Sequence, residues 1–183
     1  MKILVAPNSY KECASSVGIS KIICEELVKH PGFEIFNKPL SDGGDGFIRV
    51  CELLFEVEPL TYLIQNSYQD NLSNYKLLYS KIRRSIYIES AELFGLKLIP
   101  ESKRSPLFLT SEVLGKILGM ISRDIKLNRL VVDEVWIGVG GTATIDFGIG
   151  ACSQLGIKFL DKTGKKLNPV PNNFGQINKI ENF

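Results

Sequence analysis

Three stretches of this 183-residue chain gather residue types that handle anions, cations or protons, and each follows a short apolar run. The first is Ala6-Pro7-Asn8-Ser9-Tyr10-Lys11, where the lysine offers a compact positive charge to a phosphate or a carboxylate. The second is Ser41-Asp42-Gly43-Gly44-Asp45-Gly46. Its carboxylates suit Mg2+ coordination or removal of a hydroxyl proton, and its glycines let backbone N–H groups approach a ligand. The plainer reading is a turn leading into a helix, with Asp45 near the positive end of that helix. The third runs from Gly138 through Gly140, Gly141, Thr142 and Thr144 to Asp146. Consecutive glycine amides and threonine hydroxyls can surround phosphate or carboxylate oxygens.

The elements that position these loops follow from periodicity. Ile3–Ala6 is a short unbroken apolar run, as expected of a buried parallel strand. Ile19, Ile22, Ile23, Leu27 and Val28 recur at helical spacing after a Ser15 or Ser16 cap, and His30-Pro31-Gly32 stops that helix. A strand over 33–40, the acidic loop and a helix carrying Phe47, Val50, Leu53 and Leu54 follow. Strands are expected at 60–65, 75–80 and 85–89, with a hairpin across the polar loop 66–74, and one helical turn at 91–96. A helix capped by Thr110 or Ser111 runs to Ile121, a strand spans 130–139, a short helix reaches about Leu155, and 157–160 is extended. The tail from Asn168 shows little periodicity. Strands alternating with helices predict a layered α/β architecture, with ligand loops at the carboxyl ends of strands.

Composition excludes several classes. Net charge is +2 and the basic clusters are short, which argues against nucleic acid as a partner. No apolar run approaches the ~18 residues of a membrane span, and the first residues lack a signal-like apolar core. Cys13, Cys24, Cys51 and Cys152 form no CxxC pair and no zinc spacing. Buried, reduced thiols and a cytoplasmic location are expected. Gly138, Gly140 and Ala143 also match G-x-G-x-x-A, with Asp161 near the end of the next strand, in the manner of a dinucleotide fingerprint. Gly148 and Gly150 make a poor helix for that role.

Taken in order, these blocks resemble the class I glycerate kinase family. Its opening is matched by Lys2-Ile3-Leu4-Val5-Ala6-Pro7-Asn8-Ser9-Tyr10-Lys11-Glu12, and its second signature by Pro39-Leu40-Ser41-Asp42-Gly43-Gly44-Asp45-Gly46. Further matches are Ile88-Glu89-Ser90-Ala91 with Gly95-Leu96 and Leu98-Ile99-Pro100, then Arg104-Ser105-Pro106 with Thr110-Ser111, then Ile137 to Thr144 continuing to Gln154-Leu155-Gly156. Departures from the family pattern are Asn8 for aspartate, Ser105 for an acidic or amide residue, Leu109 and Leu114 for threonine and glycine, and Ile145 and Phe147 for asparagine and glycine.

The resemblance implies a chain about half as long as the family's. It implies an α/β fold in which residues 1–60 are the N-terminal portion of a Rossmann-like three-layer domain. Residues 61–183 would belong to an inserted second α/β domain, both domains being incomplete. It further implies ATP-dependent, Mg2+-assisted phosphorylation of D-glycerate to 2-phosphoglycerate. Lys11, Asp42 and Asp45 would be the catalytic residues, with Asp42 and Asp45 also the metal ligands. Ser9, Gly43, Gly44, Arg104, Gly140, Gly141, Thr142, Thr144 and Asp146 would bind substrate and phosphate. A complementing C-terminal half or a second copy is the expected protein partner. Two other readings stay open: an inactive or ligand-binding remnant of such a kinase, and a dinucleotide-binding oxidoreductase.

Overall fold

The computed structural model describes residues 1–10, 13–66 and 72–182, which fold as a mixed α/β protein. The chain forms two compact units, Met1–Pro59 with Leu77–Glu89 and Asp133–Gly140, and Leu60–Lys76 with Ser90–Val132 and Gly141–Phe183.

In the first unit, β1 (Lys2–Val5) and β2 (Glu34–Asn37) pair in parallel with Leu4 opposite Phe36. Helix α1 (Ser16–Leu27) connects them, and the Ser15 hydroxyl caps it by accepting from Gly18 N at 3.1 Å. The apolar residues at helical spacing are only partly covered. Ser16 and Ser20 are buried, whereas Ile22 and Val28 are 67% and 70% exposed. The sequence supplies an apolar face that the described residues do not cover. Helix α2 (Phe47–Leu54) instead buries Ile48, Val50 and Cys51. Ile48 and Cys51 pack with Leu78 and Tyr87, and Phe55 stacks on Tyr87 at a centroid distance of 5.3 Å.

A four-stranded sheet has the order β3 (Glu58–Gln65), β4 (Leu72–Ser80), β5 (Ser85–Glu89), β6 (Glu134–Gly138). The whole of β5 is buried, as a central strand without alternation should be. It pairs antiparallel with β4 and parallel with β6, placing Glu89 opposite Gly138. The stretch expected to turn between β3 and β4 lies largely at 67–71, outside the described residues. β6 is shorter than the expected strand, and its Trp136 is half exposed.

The second unit is built on α4 (Glu112–Lys126), whose Val113, Ile117 and Ile121 form one buried stripe at a spacing of four. The helix runs a turn beyond the expected end at Ile121, with Arg123 and Lys126 exposed and Asp124 accepting from the Tyr62 hydroxyl at 2.8 Å. Gly115 lets α5 (Ile149–Gln154) lie close, since a methyl group there would meet the backbone of Ala151. The expected turn at 91–96 resolves into α3 (Ala91–Phe94) and a 3-10 turn at Leu96–Leu98. The tail is ordered, against expectation: a 3-10 helix at Pro171–Gln176 precedes β8 (Lys179–Glu181), which pairs antiparallel with β7 (Lys158–Leu160). Among the described residues no helix is long and apolar enough to cross a membrane.

Candidate functional site

The parallel pairing of β1 and β2 brings their carboxyl-terminal loops side by side. Leu40 N donates to Pro7 O at 2.9 Å, so the loop carrying Ser9 leaves beside the acidic loop. Asn8 Oδ1 accepts from Ser9 N at 2.8 Å, and both residues are exposed. Lys11 lies outside the described residues.

The acidic loop is closed by its own side chains. Ser41 Oγ accepts from Gly43 N at 3.1 Å, and Asp42 Oδ1 accepts from Gly44 N at 3.0 Å. Gly43 and Gly46 hold φ values of 86° and 90°, which is why this turn uses glycine at those points. The end of β6 fits against the loop, with Gly140 N donating to Gly43 O at 2.9 Å. Any side chain on Gly138 would stand 2.7 Å from Gly43 O and 2.9 Å from the Phe47 ring. Asp42 and Asp45 are exposed on this scaffold.

Glu89, at the end of β5, is the residue that sequence reasoning missed. It is 4% exposed, and its Oε1 accepts from Gly46 N at 2.8 Å while Oε2 accepts from Ile48 N at 2.9 Å. The N-cap of α2 is Gly46, which has no side chain to offer, and the Glu89 carboxylate stands there instead. The only sequence signal was a carboxylate ending an otherwise uncharged buried strand. Burial, then Glu89 and Glu52, push the neighbouring Cys51 thiol up to about 11. Cys51 is the one fully buried cysteine; Cys13 is exposed, and Cys24 and Cys152 are half-buried. The expectation of buried thiols therefore holds for Cys51 and fails for Cys13, which sits in a short turn bonded back to Tyr10.

The remaining candidates lie in the second unit. Gly141 takes φ 70°, Thr142 bridges to Gly95, and Ala143 N donates to Phe94 O at 3.0 Å. Thr144 is half-buried. Arg104 donates through Nε to Ile99 O at 2.9 Å and lies 3.7 Å from Glu101. Asp146 is 2% exposed. Its Oδ2 accepts from Ser111 N and Ser111 Oγ, each at 2.8 Å, and from Gly150 N at 3.1 Å. Its Oδ1 accepts from Gly148 N at 3.2 Å. Ser111 Oγ in turn accepts from Ala151 N at 3.0 Å, so Ser111 links α4 to α5 rather than capping its own helix. Flanking Asp146, Ile145 and Phe147 point outward, 58% and 92% exposed, and Phe147 adopts φ 52°. With Leu107, Pro171 and Phe174 they line an apolar depression of about 580 Å3.

Comparison with known proteins places the whole chain. The model of the glycerate kinase family matches residues 3–182. The chain belongs to the glycerate kinase family. It is 31% identical over 170 residues to a glycerate kinase of Neisseria meningitidis serogroup B, covering 91% of this chain and 43% of the relative. It is 30% identical over 183 residues to a glycerate kinase of Bacillus subtilis, covering 99% and 46%. A glycerate 2-kinase of Escherichia coli K12 is 28% identical, again covering 99% and 46%. Among solved structures, a protein assigned as glycerate kinase 2 from Salmonella typhimurium LT2 superposes with a TM-score of 0.75 at 27% identity, covering 99% of this chain and 47% of that one. The chain thus spans less than half the length of these glycerate kinases.

Proposed function

We propose that this chain supplies the N-terminal part of an ATP-dependent glycerate kinase that phosphorylates D-glycerate to 2-phosphoglycerate. The observation that carries the reading is the acidic loop: it keeps the Ser-Asp-Gly-Gly-Asp-Gly sequence and is held by Glu89 and Gly140, with both aspartates exposed. Residues 1–60 are read as the opening of a Rossmann-like domain and 61–183 as part of an inserted domain.

The donor set fits Mg2+ carried in with a nucleotide. Among the described residues no His, Cys, Asp and Glu cluster would hold a metal by protein ligands alone. Mg2+ in phosphoryl-transfer sites needs only one or two carboxylates beside phosphate and water. Asp42 and Asp45 would hold it, and it would neutralise phosphate charge. The transfer itself breaks the bond from the terminal phosphorus of ATP to its β–γ bridging oxygen, releasing ADP, and forms a bond from that phosphorus to a substrate hydroxyl, whose proton would pass to Asp42 or Asp45. Because Glu89 already occupies the amides that open α2, and Gly43 O that of Gly140, phosphate charge falls to other groups: Lys11, Arg104, the Gly141 amide and the hydroxyls of Ser9, Thr142 and Thr144, with Gly140 bringing its backbone beside them. Gly43 and Gly44 bring backbone close to the ligand. Asp146 is read as a positioning residue, since its oxygens are taken up by Ser111, Gly148 and Gly150.

The uncovered apolar face of α1 and the two-stranded β1–β2 sheet support a complementing polypeptide, either a C-terminal half or a second copy. Free thiols fit a reducing cytoplasm. The test is coupled ADP release with D-glycerate and Mg-ATP, using the chain alone and the chain mixed with the C-terminal half of a relative. Turnover in the mixture that vanishes with Asp45→Ala supports the assignment. A folded mixture without turnover and without Mg-ATP binding sinks it. A non-catalytic remnant is the second reading, favoured by Ile145 and Phe147, which place exposed apolar groups where the family pattern has asparagine and glycine.

A further inference from the structure

We propose that Glu89 is a positioning residue that sets the geometry of the Asp42–Asp45 loop by locking the first amides of α2. This rests on the kinase reading for its functional meaning, although the locking itself can be tested separately. The two carboxylate oxygens take different amides, Gly46 N at 2.8 Å and Ile48 N at 2.9 Å. One rigid group therefore spans the junction where the loop becomes helix. Glu89 lies on the central strand, in register with Gly138, two residues before the Gly140 amide that bonds Gly43 O. The loop is thus gripped at its middle from β6 and at its end from β5. The asparagine-like turn within it, Asp42 Oδ1 to Gly44 N, fixes only local shape. A charge-assisted bond to a buried carboxylate is about twice as strong as a neutral one. Burial keeps water from competing for it. Gly46, at the N-cap position, has no side chain to take that role.

The experiment uses the full chain, with Glu89→Gln as the principal variant. Glutamine keeps the shape but carries one acceptor oxygen and presents N–H groups to the other amide. Exposed Lys21, on α1, provides a control through Lys21→Gln. Backbone amide resonances and Mg-ATP affinity are measured for each. The expected result is that amides of residues 42–45 and 140 shift together with those of Gly46 and Ile48. Mg-ATP affinity falls at least about tenfold while the cooperative melt persists, and Lys21→Gln behaves as the unsubstituted chain. If only the Gly46 and Ile48 amides move and the affinity holds, Glu89 merely caps α2 and the proposal is overturned. If the unsubstituted chain itself binds no Mg-ATP, the kinase reading fails, and the amide shifts at 42–45 and 140 still decide the locking. Should Glu89→Gln not fold, Glu89→Asp, which withdraws the charge by one methylene, is held to the same amide criteria.

Discussion

Each unit of the molecule contains a buried carboxylate that ties a glycine-rich loop to the start of a helix, yet the loops beside them differ sharply. In the first unit Glu89 reaches from a strand to α2, and the adjoining loop exposes Asp42 and Asp45. In the second, Asp146 is part of its own loop, gathers donors from the starts of α4 and α5, and is flanked by exposed Ile145 and Phe147. The same anchoring device therefore presents polar groups in one place and apolar groups in the other. Anchoring and chemistry are separable: the fold keeps its buried carboxylates while the residues displayed next to them change.

The comparison can be broken most forcefully at Asp146. Asp146→Ala leaves the amides of Ser111, Gly148 and Gly150 without their acceptor. Buried groups so stranded cost about 1–3 kcal/mol each, and α4 and α5 lose a shared tie, so a loss of about 3 kcal/mol or more is expected in urea denaturation. A loss under ~1 kcal/mol would show that water replaces the carboxylate readily and that the two anchors are not alike. Glu89→Gln, with one acceptor retained, should cost about 1–2 kcal/mol by the same measurement. An equal or larger loss than at Asp146 would reverse the ranking.

Phe147 tests the displayed residues. A non-glycine side chain in the left-handed region costs roughly 1–2 kcal/mol, and Phe147 at φ 52° carries that strain with little burial in return. Its ring lies against that of Phe174, at 5.8 Å and 47°. Phe147→Gly should therefore stabilise the chain by about 1 kcal/mol, while Phe147→Ala, keeping the strain and losing the contact, should not. Equal effects would mean that the Phe174 contact, rather than backbone strain, governs the site.

The smallest expected effect concerns Cys51, beneath the Glu89 anchor. Its folded value near 11 stands above its ordinary 9. A raised value means that the folded state holds the proton more tightly. The associated stability is fully present below pH 9 and is lost as pH rises towards 11. Alkylation followed by mass mapping at pH 8 should mark exposed Cys13 quickly and Cys51 only as the chain unfolds. Rapid labelling of Cys51 would mean that the α2 anchor opens locally.

Much of this was legible in the sequence, for identifiable reasons. β5 could be read from its short β-branched and aromatic centre, Ile86-Tyr87-Ile88, and α4 because Val113, Leu114, Ile117 and Leu118 recur at helical spacing. The polar loops stood out between apolar elements. Glu89 was not legible as an anchor: its partners lie 41 and 43 residues away, and no local pattern encodes a contact made by strand pairing. Asp146 was read as a ligand group because sequence cannot tell an aspartate facing substrate from one facing the amides of Gly148 and Gly150. The hairpin of β7 with β8 escaped notice because three-residue strands are too short to show alternation. The helix α1 was legible from its apolar spacing, while its exposure was not, because spacing does not say what covers the face.

The apolar depression lined by Leu107, Ile145, Phe147, Pro171 and Phe174 has a consequence at the bench. Environment-sensitive dyes that brighten on apolar surfaces will fluoresce with the native protein, so a dye-based melt should begin from a high baseline and mute the transition. The sole tryptophan, Trp136, sits on a different unit, with its indole N–H donating to Glu134 at 2.9 Å. Its intrinsic emission offers an optical signal free of that background, and discord between the two signals would locate dye uptake in the native state rather than in unfolding.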